Sequence, residues 1–164
     1  KEKIVMGSIS SQNFNSNLED SIEDKNIIIL YQGRYWSLTK IGKKLKTLNE
    51  IMDRDIPTID DKASIKDAVL IMTEKKYGCA VMIDKNKRIK GILTDGDLRR
   101  SINQIELNDN VKLIIKNKPI TAKKNYLISS AVALMNKNAI TSLIIADRNI
   151  PIGIVNLKQC IDNE

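Results

Sequence analysis

The sequence predicts an α+β (α/β) fold built from two pseudo-symmetric β-α-β-β-α repeats packed sheet to sheet. Three observations predict it. Ala68-Val69-Leu70-Ile71-Met72 recurs as Ala131-Val132-Ala133-Leu134-Met135, 63 residues later. The same offset pairs Ile65 with Ile128 and Asp84 with Asp147. Gly91-Ile92-Leu93 then pairs with Gly153-Ile154-Val155 at an offset of 62, and Pro57 with Pro119 at the same offset. A fixed repeat of this length marks one supersecondary unit that buries its apolar face against a neighbouring copy. Two separate domains of repeat size would be marginal, so a shared core is favoured.

Within the first copy each element has a local cause. An extended piece follows Pro57. Ser64, with Asp67 three residues on, reads as a capping box that opens a helix to about Lys76. Its apolar positions Ile65, Ala68, Val69 and Met72 share one face. Residues 79–83 form an apolar strand, Asp84-Lys85-Asn86-Lys87 a hairpin loop, residues 89–93 the returning strand and residues 95–102 a second helix. The second copy predicts a helix at about 127–137, strands at 142–146 and 152–155, and a last helix from about Asn156.

Upstream of the repeats the signals are weaker. Residues 1–25 are rich in Ser, Asn, Asp and Glu without a period, and the segment 1–40 reads as flexible or poorly ordered. Within it, residues 27–31 fit a short strand, and residues 32–38 read as irregular, with Gly33 at a turn. Residues 41–52 read as a linker and short helix, with Leu45, Leu48, Ile51 and Met52 at helical spacing. The first repeat with its linker is assigned to 41–108 and the second repeat to 109–164.

The chain of 164 residues contains no histidine. This excludes His general bases, His metal ligands and Ser-His or Cys-His nucleophile pairs. Cys79 and Cys160 fit no zinc or redox spacing. Cys79, between Gly78 and Ala80 in an apolar strand, reads as buried and structural. The net charge of +7 suits an anionic partner but is spread along the chain and equally fits a solvated surface. Tyr31, Tyr35 and Trp36 could stack on a base or cover an apolar patch. Basic and aromatic residues do not alternate, so no nucleic-acid partner is expected. No apolar run is long enough for a membrane span or a signal peptide, and a cytoplasmic location is expected. The chain begins with Lys1, which suggests a fragment or a processed form.

Gly91-Ile-Leu-Thr-Asp-Gly-Asp97 joins a strand to a helix and is the candidate site. Gly91 allows a close approach to the backbone and Gly96 keeps the turn open. The free N–H groups at the helix start suit an anion. Thr94 could donate to a phosphate, Asp97 could accept from two ribose hydroxyls, and Asp95 stands beside them. Arg99 or Arg100 supplies a nearby cation. A local reading stands beside this one: Thr94 or Asp95 caps the helix and Asp97 complements its dipole. In the second copy Asn156 replaces the threonine and Gln159 the aspartate. A neutral Gln is a poorer acceptor for a diol. Lys158 is near enough in sequence to reach a phosphate.

The repeated unit with Gly-Ile-Leu-Thr-Asp-Gly-Asp-Leu-Arg-Arg resembles a tandem cystathionine-β-synthase (CBS) domain pair, the Bateman module. More narrowly it resembles the C-terminal half of the arabinose-5-phosphate isomerase family. The stretches that carry the match are Gly42-Lys-Lys-Leu45 with Ile51-Met52, Met72-Thr-Glu-Lys-Lys-Tyr-Gly-Cys79, residues 91–100, and Ile140-Thr-Ser-Leu143 with Pro151-Ile-Gly-Ile-Val155. The resemblance implies a regulatory module that binds an adenine nucleotide or CMP-sugar effector, needs no cofactor and pairs as a homodimer. Thr94 and Asp97 match the phosphate and ribose positions. It also implies that catalysis belongs to a sugar-isomerase (SIS) domain ahead of the pair. Only 40 residues precede Ile41 here, and they do not resemble that domain. The family's His-Pro-Gly-Gly stretch is replaced by Tyr35-Trp36-Ser37-Leu38-Thr39-Lys40. The expectation is a detached or truncated regulatory part, not an enzyme by itself. Two alternatives are a subunit or fragment of the isomerase, working beside a SIS-domain chain, and a structural dimerisation module without ligand.

Overall fold

The computed structural model describes residues 28–31, 34–37, 44–115 and 117–163. The chain divides into two compact units, residues 1–46 and 47–164. In the first unit β1 (Ile28–Tyr31), β2 (Arg34–Ser37) and β3 (Lys44–Leu45) form an antiparallel sheet in that order. The strand expected at 27–31 is present. The irregular reading of 32–38 is corrected: residues 34–37 pair with β1 in register, Trp36 opposite Ile29 and Tyr35 opposite Leu30. The expectation that residues 1–25 are flexible lies outside the described residues.

The helical spacing from Leu45 to Met52 is also corrected. Leu45 belongs to β3, opposite Tyr35. Only α1 (Leu48–Ile51) is helical, one turn opened by a Thr47–Glu50 capping box.

The second unit carries the two repeats. The first runs β4 (Thr58–Ile59), α2 (Ile65–Lys75), β5 (Cys79–Ile83), β6 (Ile89–Thr94) and α3 (Asp95–Ser101). A 3-10 turn follows at Val111–Leu113. The second repeat runs β7 (Thr121–Ala122), α4 (Ile128–Lys137), β8 (Ser142–Asp147), β9 (Ile150–Asn156) and α5 (Leu157–Asn163). Each repeat forms a three-stranded sheet whose first strand is parallel and last strand antiparallel to the middle one. The copies share irregularities as well as elements. The register shifts between Met82 and Ile83 and again between Ile145 and Ala146. Lys76 and Ala139, 63 residues apart, both turn the chain out of their helices at φ of 59° and 51°.

The strands explain why the sheets face each other. β5 is a continuous apolar run because both of its faces are covered. Ala80 and Met82 point into a core with Ile65, Ala68, Met72 and Leu93. Cys79 and Val81 point the other way and meet Ile144 and Ile154 of the second repeat. In β8, Leu143 and Ile145 join Met135 and Val155 in the second repeat's own core. The period-2 alternation of a strand thus feeds two cores at once.

The division at residue 108 is crossed in both directions. Leu48 and Met52, ahead of the first repeat, are buried in the second repeat's core. Val111 and Ile114, just before the second repeat, are buried in the first. Backbone bonds seal both exchanges. Asp53 and Ile154 trade N–H and carbonyl at 2.9 Å each way, and the Ile92 N–H donates to the Asn117 carbonyl at 3.0 Å.

Candidate functional site

β6 ends on Thr94 and α3 begins at the next residue, so the strand delivers this side chain to the head of the helix. Thr94 is the N-cap, with an extended backbone. Its hydroxyl accepts from the Asp97 N–H at 3.2 Å and donates to Asp97 Oδ2 at 2.6 Å. The Thr94 N–H donates to the same Oδ2 at 3.0 Å. This reciprocal box satisfies two backbone donors that the helix start would leave orphaned. Ser64 and Asp67 build the same box at the head of α2. At the opposite side of the carboxylate, Arg100 Nη2 donates to Asp97 Oδ1 at 2.6 Å. Partial burial works to raise the Asp97 pKa. The hydrogen bonds from Thr94 and Arg100 outweigh it and hold the carboxyl below the ordinary range.

The structure thus brings Thr94, Asp97 and Arg100 into one hydrogen-bonded group. The Thr94 hydroxyl, expected from the sequence as a donor to phosphate, donates here to Asp97. Arg99 is exposed on the helix. Asp95 is also exposed, and its N–H donates to the Gly78 carbonyl at 3.1 Å. Gly91 does leave room for a close approach, but the chain itself fills it. A Cβ there would overlap the Ile115 Cγ2 methyl and stand 3.3 Å from the Asn117 carbonyl oxygen. The second repeat has a neutral copy of the same cap: the Gln159 N–H donates to Asn156 Oδ1 at 2.7 Å. There Gln159 Oε1 accepts from the Asn156 N–H at 3.4 Å, while its amide nitrogen donates to the Ile51 carbonyl. Lys158 lies exposed on α5.

Beside this group is a cavity of about 260 Å³. It is lined by Val69, Met72 and Thr73 of α2, by Lys76 at that helix's C-cap, and by Gly78, Asp95 and Leu98. Sequence reasoning found Asp95 but missed the rest of the lining. The signal was Gly78, in a left-handed conformation at φ of 66° just before an apolar strand. A side chain there would press on the Asp95 carboxylate. Among the described residues no cluster of Cys, Asp and Glu is arranged to hold a metal ion. No helix among them is long and apolar enough to cross a membrane.

Two β-α-β-β-α repeats with facing sheets and exchanged leading segments give this unit the fold of a tandem CBS-domain pair. Residues 48–104 match the family model of the CBS domain. The pair resembles the CBS-containing part of arabinose 5-phosphate isomerases. It is 39% identical over 127 residues to arabinose 5-phosphate isomerase KdsD of Yersinia pestis, covering 74% of this chain and 38% of that protein. It is 33% identical over 130 residues to KdsD of Escherichia coli K12, with the same coverage. The chain therefore spans under two fifths of the length of these curated relatives. Among solved structures, a CBS domain protein from Pyrobaculum aerophilum complexed with AMP superposes with a TM-score of 0.62 at 19% identity, covering 70% of this chain and 89% of that one. The CBS domain pair of protein MJ0100, in complex with 5'-methylthioadenosine and S-adenosyl-L-methionine, superposes with a TM-score of 0.65 at 19% identity, covering 73% and 95%.

Proposed function

We propose that the chain is a regulatory module whose first repeat senses a nucleotide or nucleotide sugar, and that it serves a sugar-phosphate isomerase. The observation that carries this reading is the asymmetry between the two caps. The first repeat keeps a carboxylate at Asp97, below its ordinary pKa and one quarter exposed in the first turn of α3. The second repeat has the neutral Gln159, whose amide nitrogen donates to the Ile51 carbonyl and whose oxygen accepts from the Asn156 N–H. A ribose diol needs an anionic acceptor with room on it, and only Asp97 offers one of the two. The similarity to KdsD proteins and the AMP and S-adenosylmethionine named for structural neighbours support the ligand class and the parent enzyme.

Thr94 fixes the carboxylate, Asp97 accepts the diol, and the cationic flank of α3 favours the phosphate. No isomerase activity is assigned to the module itself. Aldose–ketose isomerisation moves a proton between neighbouring carbons and needs a placed acid and base. The lowered carboxylates at Asp67 and Asp97 are held in helix caps instead. The module would act through a ligand that prefers one of two packings against a SIS domain or against a second copy. Exposed Leu70 on α2, Ile102 after α3 and Ile161 on α5 are apolar surfaces that homodimerisation would cover. The proposed setting is the cytoplasm.

A thermal-shift series with AMP, ATP, CMP, a CMP-sugar and arabinose 5-phosphate tests this. At ten times Kd a ligand specific to the native state adds about 1.4 kcal/mol, which for this size is a shift of roughly 3–6 °C. One nucleotide should give such a shift, and Asp97→Ala should abolish it. No shift with any of the five would return the module to a purely structural role.

A further inference from the structure

We propose that Arg100 is the specificity-determining residue of the first repeat, selecting ligands that carry a phosphate beside a ribose diol over those that carry the diol alone. This rests on the reading of Asp97 as the diol acceptor. A carboxylate offers about four acceptor positions. Two on Asp97 Oδ2 are taken by the Thr94 N–H and hydroxyl, and one on Oδ1 by Arg100. One position remains, while a vicinal diol brings two donors. One existing bond must yield.

Magnitudes decide which. The two bonds from Thr94 are the capping box itself, and losing them would leave the start of α3 unsatisfied. The Arg100 bond is an ion pair one turn along the helix, from a side chain that is 71% exposed. Pairs of this kind hold weakly and cost little to break. Arg100 therefore swings off Oδ1 when a diol arrives. Arg99 is not an alternative, because positions i and i+2 on a helix do not face each other while i and i+3 do.

The displaced guanidinium is what discriminates. A nucleoside breaks the Arg100–Asp97 pair and leaves the cation without a replacement. A nucleotide breaks the same pair and supplies a phosphate that the guanidinium fork can grip with two parallel bonds. Arg100 thus opposes one ligand and assists the other from a single position.

Isothermal titration of the full chain with AMP against adenosine, and CMP against cytidine, tests this on wild type, Arg100→Ala and Arg99→Ala. In Arg100→Ala, the nucleotide that binds wild type should lose about tenfold or more in affinity, the scale of a lost hydrogen bond to a charged group. Its nucleoside should gain up to about fivefold, the scale of a released surface ion pair. Arg99→Ala should leave their ratio within about twofold, as for a surface charge outside the site. Arg100→Lys keeps the charge without the fork and should recover only part of the preference. If Arg100→Ala shifts nucleotide and nucleoside by the same factor, or shifts neither, Arg100 does not select and the inference fails while the nucleotide site stands. If wild type binds none of the four probes, and neither ATP nor a CMP-sugar, the site reading fails and takes the inference with it.

Discussion

The side-chain amide of Gln159 donates a hydrogen bond to the backbone carbonyl of Ile51, joining residues 108 positions apart. Gln159 stands where Asp97 stands in the first repeat. Where the first repeat has a carboxylate that can only accept, the second has an amide that also donates and ties α1 to the second repeat. Met52, next to Ile51, is buried in the same core. The segment leading into the pair is therefore held by the second repeat, while the first repeat's carboxylate is held locally by Thr94 and Arg100.

Gln159→Glu should make that division of labour visible. The carboxylate has no proton to donate to the Ile51 carbonyl and sets two acceptors against each other. Losing a partly buried hydrogen bond and leaving its acceptor unsatisfied costs about 1–3 kcal/mol. For a chain of this size the Tm should fall by roughly 2–4 °C per kcal/mol in thermal denaturation. Nucleotide affinity should not rise, because the position faces α1. A Tm equal to wild type would show that the Ile51 contact contributes nothing.

The two strand glycines make a second prediction. A Cβ at Gly153 would come within 2.6 Å of Met52 Sδ and 3.1 Å of Met52 Cβ. A Cβ at Gly91 meets Ile115 and the Asn117 carbonyl in the same manner. Gly91→Ala and Gly153→Ala should each destabilise by overpacking, about 1–3 kcal/mol. Urea unfolding should show a lower midpoint for both, and a midpoint unchanged within error would mean that the crossing segments yield freely.

Much of this fold was legible, and the reasons are local. β5 and β8 are buried on both faces, so they read as short unbroken apolar runs. Ser64 with Asp67 marked the head of α2. The exchange of leading segments was not legible. It depends on backbone pairs such as Asp53 with Ile154, and a backbone bond leaves no side-chain pattern in the sequence. Gly91 did signal a close approach, but the partner is the chain's own Ile115 and Asn117. At the site, Thr94 and Asp97 could be named from residue type. The choice between Arg99 and Arg100 required the helix phase, and the fate of Gln159 required its distant neighbour.

Chemical reactivity gives a third prediction. Burial pushes the Cys79 thiol up to about 12, with the nearby Asp95 charge acting the same way. A thiol is reactive only as its thiolate. At pH 8 a thiol reagent should therefore label native Cys79 only as fast as the chain opens, and Cys160, fully buried in the second core, should behave alike. Mass spectrometry of native and urea-unfolded chain checks this. Fast labelling of either cysteine in the native state would contradict the packing described here.

Acid stability makes the last prediction, and its sign follows from the caps. The hydrogen bond from Ser64 lowers the Asp67 pKa. At Asp97 burial opposes the shift, yet the bonds from Thr94 and Arg100 prevail and its pKa is lowered too. In the unfolded chain both carboxyls titrate near the ordinary value of about 3.9. A group whose folded pKa is depressed contributes its stability in full above the unfolded pKa and loses it as pH falls through the folded one. Stability should thus be flat in this respect from neutral pH to about pH 5 and fall below about pH 4. Asp67→Asn and Asp97→Asn should each lower the neutral Tm and flatten the acid limb, since the amide has no such proton to take up. Nucleotide affinity should decline over the same acid range in wild type as Asp97 loses its charge. An Asp97→Asn variant with the wild-type acid limb would show that the carboxylate is not held by its cap.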